Sequence, residues 1–261
     1  MRHLDGRTSQ LQVAATIVGT VLPLLVWVLV KYGLHVSDRY LPSPVAVATA
    51  FRDIDPSIWV HAGATLKGLL LGGLLGTAFG VIGGIAVYYS PAMHALLNPV
   101  VQSLRSVPAV ATVPFFLLWF GFEDLGKLLL VVLSIGLNVL VAAYQILDEM
   151  PDKYRVALMS FGHTSRSYPI TVSLRLVIER ILPTLRTSLS IAFGAVLVSE
   201  LLGSQEGLGY LINTSSSTYA IHTIFLATIF IGLINVFLDR FLVFAWRWIA
   251  YWNRDLQRSS Q

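Results

Sequence analysis

The sequence contains no cysteine, and only 12% of its 261 residues are Asp, Glu, Lys or Arg. Without cysteine, the chain forms neither a disulfide framework nor a thiolate metal site. A soluble domain has about twice this charged fraction. Because 55% of the residues are hydrophobic, the composition excludes an ordinary soluble domain and indicates a protein embedded in a membrane.

Long stretches free of charged residues show where the chain can cross a bilayer, which takes about 20 apolar residues per helix. Two turn signals, Ser90-Pro91 and Asn98-Pro99, divide the longest stretch, residues 68–104. The first apolar stretch is too long for a cleaved signal and is expected to be a retained helix. We predict one all-α integral membrane domain over residues 1–261 with about six transmembrane helices, at 11–31, 66–88, 98–119, 126–147, 184–203 and 220–244.

The basic residues are unequally divided between the two sides of this predicted topology. An even number of spans puts both termini on one side, and 13 of the 18 Lys and Arg residues fall in segments on that side. Basic residues near spans accumulate in the cytoplasm, so both termini are expected there. The net charge of +4 therefore records orientation and not a nucleic-acid surface.

Two connections between the predicted spans have structure of their own. In Leu41-Pro42-Ser43-Pro44, Ser43 is a helix cap and Pro44 suits the first helical position, which predicts a short helix to about residue 54. The polar segment 151–175 is predicted to form two short cytoplasmic helices. The first is stopped by Gly162, and the second has Pro169 in its first turn.

The second predicted span has glycine at every fourth position, so one face of the helix is bare backbone. Small residues let membrane helices approach closely, which favours a packing role within the subunit or against a partner. A surface that slides during gating is the alternative. These glycines are Gly68, Gly72, Gly76, Gly80 and Gly84.

Ionisable residues inside predicted spans are candidates for the translocation path or its gate. Glu200 follows a long uncharged stretch, and either faces the path or is a paired structural carboxylate. Arg105, shortly before Pro108, either lines the path or reaches back to the inner surface. Strongly polar Asn138, Gln145 and Asn235 are expected to be interhelical hydrogen-bond partners.

No nucleotide or metal site is evident in the sequence. Residues 121–128 have the spacing of a phosphate-binding loop, but Leu128 stands where Ser or Thr must hold magnesium. The histidines lack metal-ligand spacing. We therefore predict that this chain binds no cofactor or metal itself.

Several motifs together resemble permeases of the aliphatic sulfonate, taurine and nitrate importer group. Their combination is specific, although each motif alone is weak, and the likeness extends from about residue 41 to the C-terminus. The motifs are Leu41-Pro42-Ser43-Pro44, Asn98-Pro99, Pro108, Pro114, Leu118-Trp119-Phe120-Gly121, and Glu200 followed by Gly207-Leu208-Gly209-Tyr210.

The resemblance implies a type I ABC importer permease with cytoplasmic coupling helices in a bacterial inner membrane. It implies a second permease subunit, two cytoplasmic ATPases that carry ATP and magnesium, and an extracytoplasmic solute-binding protein. A homodimer is favoured over a heterodimer. The expected function is alternating-access import of a small anion such as a sulfonate, taurine, nitrate or bicarbonate, without enzymatic activity; a vitamin precursor is the alternative solute.

In the family, the coupling segment carries Glu-Ala-Ala, then Gly, then Ile-x-Leu-Pro. This chain keeps the central Ala, the Gly and the Leu but lacks the acidic residue and the proline. The resemblance therefore implies ATPase docking through packing and neighbouring charges. The residues expected to couple to the ATPase are Arg155, Ala157, Gly162, Arg166, Tyr168 and Leu174.

Two other classes of function predict different sequence patterns. A transporter driven by an ion gradient would be expected to have paired intramembrane carboxylates or inverted repeats. A membrane-embedded enzyme would need clustered His, Asp or Glu residues near one surface. The sequence favours neither pattern.

Overall fold

The computed structural model describes residues 4–52, 56–121, 124–150, 152–163 and 169–249, without the side chains of residues 4–17, 20, 50 and 153. Within these ranges, the regular secondary structure is entirely helical. The helices are α1 Leu4–Gly33, α2 Pro44–Arg52, α3 Ser57–Tyr89, α4 Pro91–Ser106, α5 Ala109–Phe120, α6 Asp124–Asp148, α7 Asp152–Ser160, α8 Ile170–Arg180, α9 Leu182–Gly203, α10 Leu208–Ser217 and α11 Ile221–Ile249.

The chain divides into two compact units, of which the first comprises residues 1–56 and 212–229. In this unit the segment between α1 and α2 is held by side chains of α1. The buried ammonium of Lys31 lies 2.9 Å from a carboxylate oxygen of Asp38, and the indole of Trp27 donates to the carbonyl of Pro42 at 3.1 Å. Ser43 then caps α2 by accepting from the backbone N–H of Ala46 at 3.0 Å.

The second unit comprises residues 57–211 and 230–261, and its core is the contact between α3 and α6. Four of the five α3 glycines lie against α6. A methyl group at Gly72 would meet Val131, and one at Gly80 would lie 2.6 Å from the Cβ of Val139. Gly76 and Gly84 are similarly close to the α6 backbone, whereas Gly68 has nothing within 4 Å. The stripe thus packs inside this subunit along most of its length.

Among the described residues, four helices are long and apolar enough to span a membrane: α3, α6, α9 and α11. The α4–α5 pair passes the same test only as a bent unit, and residues 21–33 of α1 form a shorter apolar helix. The total of six spans therefore remains a prediction.

The third predicted span, 98–119, differs from the structure because it is not one continuous helix. Helix α4 ends at Ser106, Val107 and Pro108 are extended, and α5 starts in a direction bent by 100°. Proline disfavours the helical conformation for the residue before it, which explains why the helix breaks here.

The predicted turn at Asn98-Pro99 is also wrong, because Pro99 lies inside α4. The other turn signal is where the chain does turn. Ser90 is the N-cap of α4, accepts from the backbone N–H of Met93 at 3.3 Å, and is followed by Pro91 in the first turn.

Candidate coupling surface and translocation site

The short helices α7 and α8 present apolar side chains outward. Val156, Met159 and Phe161 are 65%, 61% and 80% exposed. Arg155 and Ala157 are exposed beside them, and Leu174 is exposed on α8. Exposed apolar patches flanked by polar residues are typical of protein interaction sites.

Gly162 ends the first of these helices as the sequence predicted. Its φ of +79° lies in the left-handed region, which glycine adopts without the clash that a Cβ would cause. The predicted coupling residues Arg166 and Tyr168 lie outside the described residues.

The inner faces of α7 and α8 are fixed to the long helices. Leu158 packs against the main hydrophobic core. The hydroxyl groups of Ser173 and Tyr89 lie 2.7 Å apart, which joins α8 to the end of α3. The indole N–H of Trp246 donates to the carbonyl of Ile178 at 2.8 Å, which joins α8 to α11. A force on α8 would therefore reach two spans directly.

Arg105 lies at the end of α4 within a ladder of polar side chains. Its Nε donates to the amide oxygen of Asn138 on α6 at 3.1 Å, and one terminal nitrogen donates to Gln102 at 3.4 Å. Gln102 in turn contacts Asn98 one turn earlier at 3.5 Å. Arg105, Gln102 and Asn98 are exposed, so the ladder is accessible rather than enclosed.

A cavity of about 260 Å³ runs beside this ladder between α3, α4 and α6. On α4, His94, Asn98 and Gln102 recur at four-residue spacing, which places them on one helical face. Gln145 and Asp148 line the cavity from α6. Polar side chains in membrane helices face the bundle interior or a water-filled space, so this groove is the candidate translocation path.

Pro108 lies at the break between α4 and α5, two residues after the last residue of α4. It makes no side-chain cap for α5. Its structural effect is to end the polar face of α4 near Arg105 and redirect the chain. Arg105 bonds Gln102, which lines the groove, but neither Arg105 nor Pro108 is among the residues that line the cavity itself.

Glu200 lies elsewhere and is only 1% exposed. The Thr65 hydroxyl of α3 lies 2.9 and 3.1 Å from its two carboxylate oxygens. The backbone N–H of Gly209 donates to the same carboxylate at 2.9 Å, and that of Leu208 donates to the Thr65 hydroxyl at 3.0 Å. We call Glu200, Thr65 and the segment 207–209 the Glu200 clamp.

Two glycines make room for this carboxylate. Gly207 has φ +115°, and a Cβ there would overlap the carboxyl group of Glu200. A Cβ on Gly209 would overlap the carbonyl of Leu197. The backbone N–H of Gly207 also donates to Nδ1 of His61 at 3.2 Å. These contacts tie the start of α10 to α3 and α9 and leave the carboxylate almost fully buried.

Sequence reasoning missed Thr65 and His61 as partners of the Gly-Leu-Gly segment. They lie 135 or more residues away along the chain from the groups they bind. The sequence signal for the clamp was Glu200 followed by closely spaced glycines. It indicated the Gly207–Gly209 segment but not its partners on α3. Glu200 and Arg105 therefore belong to two separate hydrogen-bond networks, because Glu200 bonds Thr65 and Gly209 whereas Arg105 bonds Asn138 and Gln102.

Apolar spans packed through glycine, a sharply bent helix pair beside a polar groove, and an exposed pair of short helices tied to the spans define a multi-pass membrane transport subunit. Residues 76–250 match the family described as binding-protein-dependent transport system inner membrane component. The chain belongs to this family. It is the permease subunit of an ABC importer, a transport protein and not an enzyme.

Individual relatives agree with this assignment. A Bacillus subtilis (strain 168) permease protein assigned to aliphatic sulfonates transport is 28% identical, over 92% of this chain and 88% of the relative. The taurine transport system permease protein of Escherichia coli (strain K12) is 27% identical, over 98% of this chain and 96% of the relative.

A solved structure shares the fold. A chain from the inward-facing MetNI methionine ABC transporter matches with a TM-score of 0.60 and 18% identity, and the match covers 76% of this chain and 97% of the other. The all-α fold is therefore that of a type I ABC importer permease. Family membership implies an ATPase and a solute-binding protein as partners, and such permeases bind no cofactor themselves.

Proposed function

We propose that this permease imports a small anionic solute across a bacterial inner membrane, along the groove between α4 and α6. The observation that supports the anion is Arg105. Within the described residues, its guanidinium bonds only neutral amides, so it keeps an uncompensated positive charge. Such a charge in a membrane protein attracts anions to an accessible path.

The comparisons point to a class of solute. The two relatives named above are described as permeases for aliphatic sulfonates and for taurine, and both kinds of solute carry a negatively charged sulfonate group. A sulfonate is accordingly the solute class that we propose.

The proposed coupling runs through α7 and α8. Two ATPase subunits, which hold ATP and magnesium, dock on the exposed face formed by Val156, Met159 and Phe161. When the ATPases close, α8 moves as a lever. The contact between Ser173 and Tyr89 passes the movement to α3, and the contact between Trp246 and Ile178 passes it to α11. The path then opens alternately to the two sides.

Orientation follows from the distribution of basic residues. Both termini and the α7–α8 surface are proposed to be cytoplasmic, because 13 of the 18 Lys and Arg residues lie on that side of the predicted topology. The binding protein then delivers solute to the opposite side.

The decisive experiment is uptake of taurine into proteoliposomes that contain the permease, its ATPase and its binding protein. Arg105→Gln should lower uptake about tenfold or more, because hydrogen bonds to a charged group contribute about 1.5–3 kcal/mol. Arg105→Lys is the matched control, since it keeps the charge and should retain most of the uptake.

Equal uptake by wild type and Arg105→Gln would remove Arg105 from the path. The driving force is tested in the same vesicles. Uptake that persists without ATP and collapses with an uncoupler would replace the ABC mechanism with transport driven by an ion gradient.

A further inference from the structure

Asn138 of α6 makes two hydrogen bonds that fix the orientation of its amide group. The amide nitrogen donates to the carbonyl oxygen of Ser134, one turn earlier, at 2.9 Å. The amide oxygen accepts from Nε of Arg105 on α4 at 3.1 Å. The reverse orientation would place two donors against each other at the guanidinium and two acceptors at the carbonyl. The oxygen of Asn138 is therefore the atom that Arg105 meets.

The part of α6 that carries Asn138 is packed on two sides. Val139, the next residue, is fully buried in the contact with α3. Leu137, the preceding residue, lies in a buried cluster with Val101 of α4. Asn138 itself is half-buried between them. Neighbours locked by packing keep a side chain in one geometry, so Asn138 holds the guanidinium of Arg105 in a defined place.

Asn138 lies near the middle of its span. Helix α6 ends at Asp148, which is about 15 Å from Asn138 along the helix axis. This distance is about half the thickness of the hydrocarbon core of a bilayer. An arginine without a partner at this depth would extend toward the membrane surface. The bond to Asn138 holds Arg105 inside the span instead.

The partners of Arg105 leave its charge and most of its donors unused. A guanidinium has five N–H donors. Within the described residues, Arg105 bonds only the neutral amides of Asn138 and Gln102, and it forms no ion pair. Arg186 of α9 shows the alternative, since both carboxylate oxygens of Asp239 bind it and balance its charge. Arg105 keeps both charge and donors for an anionic solute.

The carboxylates that line the neighbouring cavity do not balance Arg105. Asp148 and Glu149 are exposed and lie at and just beyond the end of α6, about 15 Å along the helix from Asn138. Charges in solvent are largely screened beyond about 8 Å at physiological salt. The charge of Arg105 therefore remains unbalanced where Asn138 holds it.

We infer that Asn138 is a positioning residue that sets the charge specificity of the path. It holds Arg105 in the span through a neutral oxygen, and so keeps the cation available to an anion. Asp has nearly the same size and would accept the same bond from Arg105, but it would neutralise the guanidinium. The inference rests on the role of Arg105 in the proposed function.

Charge variants in the taurine proteoliposome assay test the inference. Asn138→Asp should lower uptake about tenfold or more, as expected for Arg105→Gln, because neither variant keeps an unbalanced positive charge there. Adding Gln102→Lys to Asn138→Asp restores one net positive charge beside Arg105 and should recover most of the lost uptake. A lysine at this position repairs no packing between α4 and α6, so a role in packing alone predicts no recovery.

Asn235→Asp is the matched control for placing a carboxylate in a span. Asn235 is a half-buried amide of α11, like Asn138 on α6, and it has no bond to Arg105. The control should retain uptake. An equal loss in Asn235→Asp would trace the effect to any added carboxylate and would overturn the inference.

Thermal unfolding shows whether the variants fold. Asn138→Asp loses the bond to Ser134 but gains an ion pair, so its unfolding temperature should stay close to that of wild type. If Asn138→Asp does not fold, Gln102→Glu replaces it in the assay. That variant places the carboxylate on the other partner of Arg105, on the exposed face of α4, and the same loss of uptake is expected.

The remaining outcomes separate this inference from the proposed function. Full uptake by folded Asn138→Asp, or a loss that Gln102→Lys does not restore, reduces Asn138 to a packing residue. If Arg105→Gln loses uptake while Asn138→Asp keeps it, only the inference fails. If both variants keep full uptake, Arg105 is not part of the path, and the proposed function fails as well.

Discussion

The glycine face of α3 allows a sharp test, because the same substitution is expected to have opposite signs at two positions of one helix. At Gly80, an added methyl group would lie 2.6 Å from the Cβ of Val139 and 2.7 Å from the carbonyl oxygen of Gly136. Carbon atoms pack best at about 3.5–4.0 Å, so α3 and α6 must separate by roughly 1 Å. At Gly68, the same methyl group meets nothing within 4 Å.

The expected energies follow from these distances. Overpacking of a tight contact costs about 1–3 kcal/mol, while replacing glycine by alanine inside a helix gains about 1 kcal/mol. Gly80→Ala should therefore be neutral to destabilised by about 2 kcal/mol, and Gly80→Leu much more. Gly68→Ala should be stabilised by up to about 1 kcal/mol, because only the propensity term applies there.

Thermal unfolding of the purified permease in detergent, followed by loss of the monodisperse peak, measures the difference between the two variants. A Gly80→Ala protein as stable as Gly68→Ala would refute the packing argument. Normal stability of Gly80→Ala together with altered uptake would instead support the sliding surface that the sequence left open.

Three further predictions concern the Glu200 clamp, the coupling face and the α1–α2 segment. Glu200→Ala should lower the unfolding temperature more than Glu200→Gln, because only the alanine leaves the N–H of Gly209 without an acceptor, at about 1–3 kcal/mol; equal losses would contradict the clamp. Phe161→Ala should leave stability unchanged but lower ATPase co-purification about tenfold, as loss of an interface anchor does; full co-purification would exclude Phe161 from the docking face. The Lys31 hydrogen bond lowers the pKa of Asp38, so the pair holds residues 34–43 at neutral pH and is lost as the pH falls through that lowered pKa. The protection factors of these amides, corrected for the pH dependence of intrinsic exchange, should fall in acid for wild type and stay constant for Asp38→Asn; parallel profiles would refute the role of the pair.

Local features of the fold were predictable because they depend on neighbouring residues. The caps Ser43 and Ser90 each stand next to a proline and accept from an N–H three residues later. The end of α7 at Gly162 was predictable because it depends only on the backbone conformation of that glycine, whose φ is +79°. The charge-free stretches likewise located the long helices α3, α6, α9 and α11.

The broken third span shows where composition stops being informative. Hydropathy counts apolar residues but carries no direction, so residues 98–119 matched a straight helix. Pro99 and Pro108 look alike in the sequence, yet the first lies inside α4 and the second at the break. The local preference of the residue before a proline is therefore not enough to predict from sequence which of the two ends a helix.

For the candidate sites, too, the sequence indicated the residues, whereas the structure showed their surroundings. Arg105 and Glu200 were recognisable as polar residues in apolar stretches, but their two open interpretations depended on what surrounded each side chain. The structure encloses Glu200 between Thr65 and Gly209, and leaves Arg105 accessible beside Asn138.

By itself, the sequence determined that this protein lives in a membrane, which family it resembles and which residue types are unusual there. Solvent preference and local backbone preference are properties of short stretches, so they can be read from the chain. Only the tertiary structure decided that the glycines of α3 pack on α6, that Arg186 is neutralised by Asp239 and that Arg105 is not. Those outcomes depend on distances between helices far apart in sequence. The residue pattern of a single chain shows which stretches are helical and apolar, but not which helices contact each other.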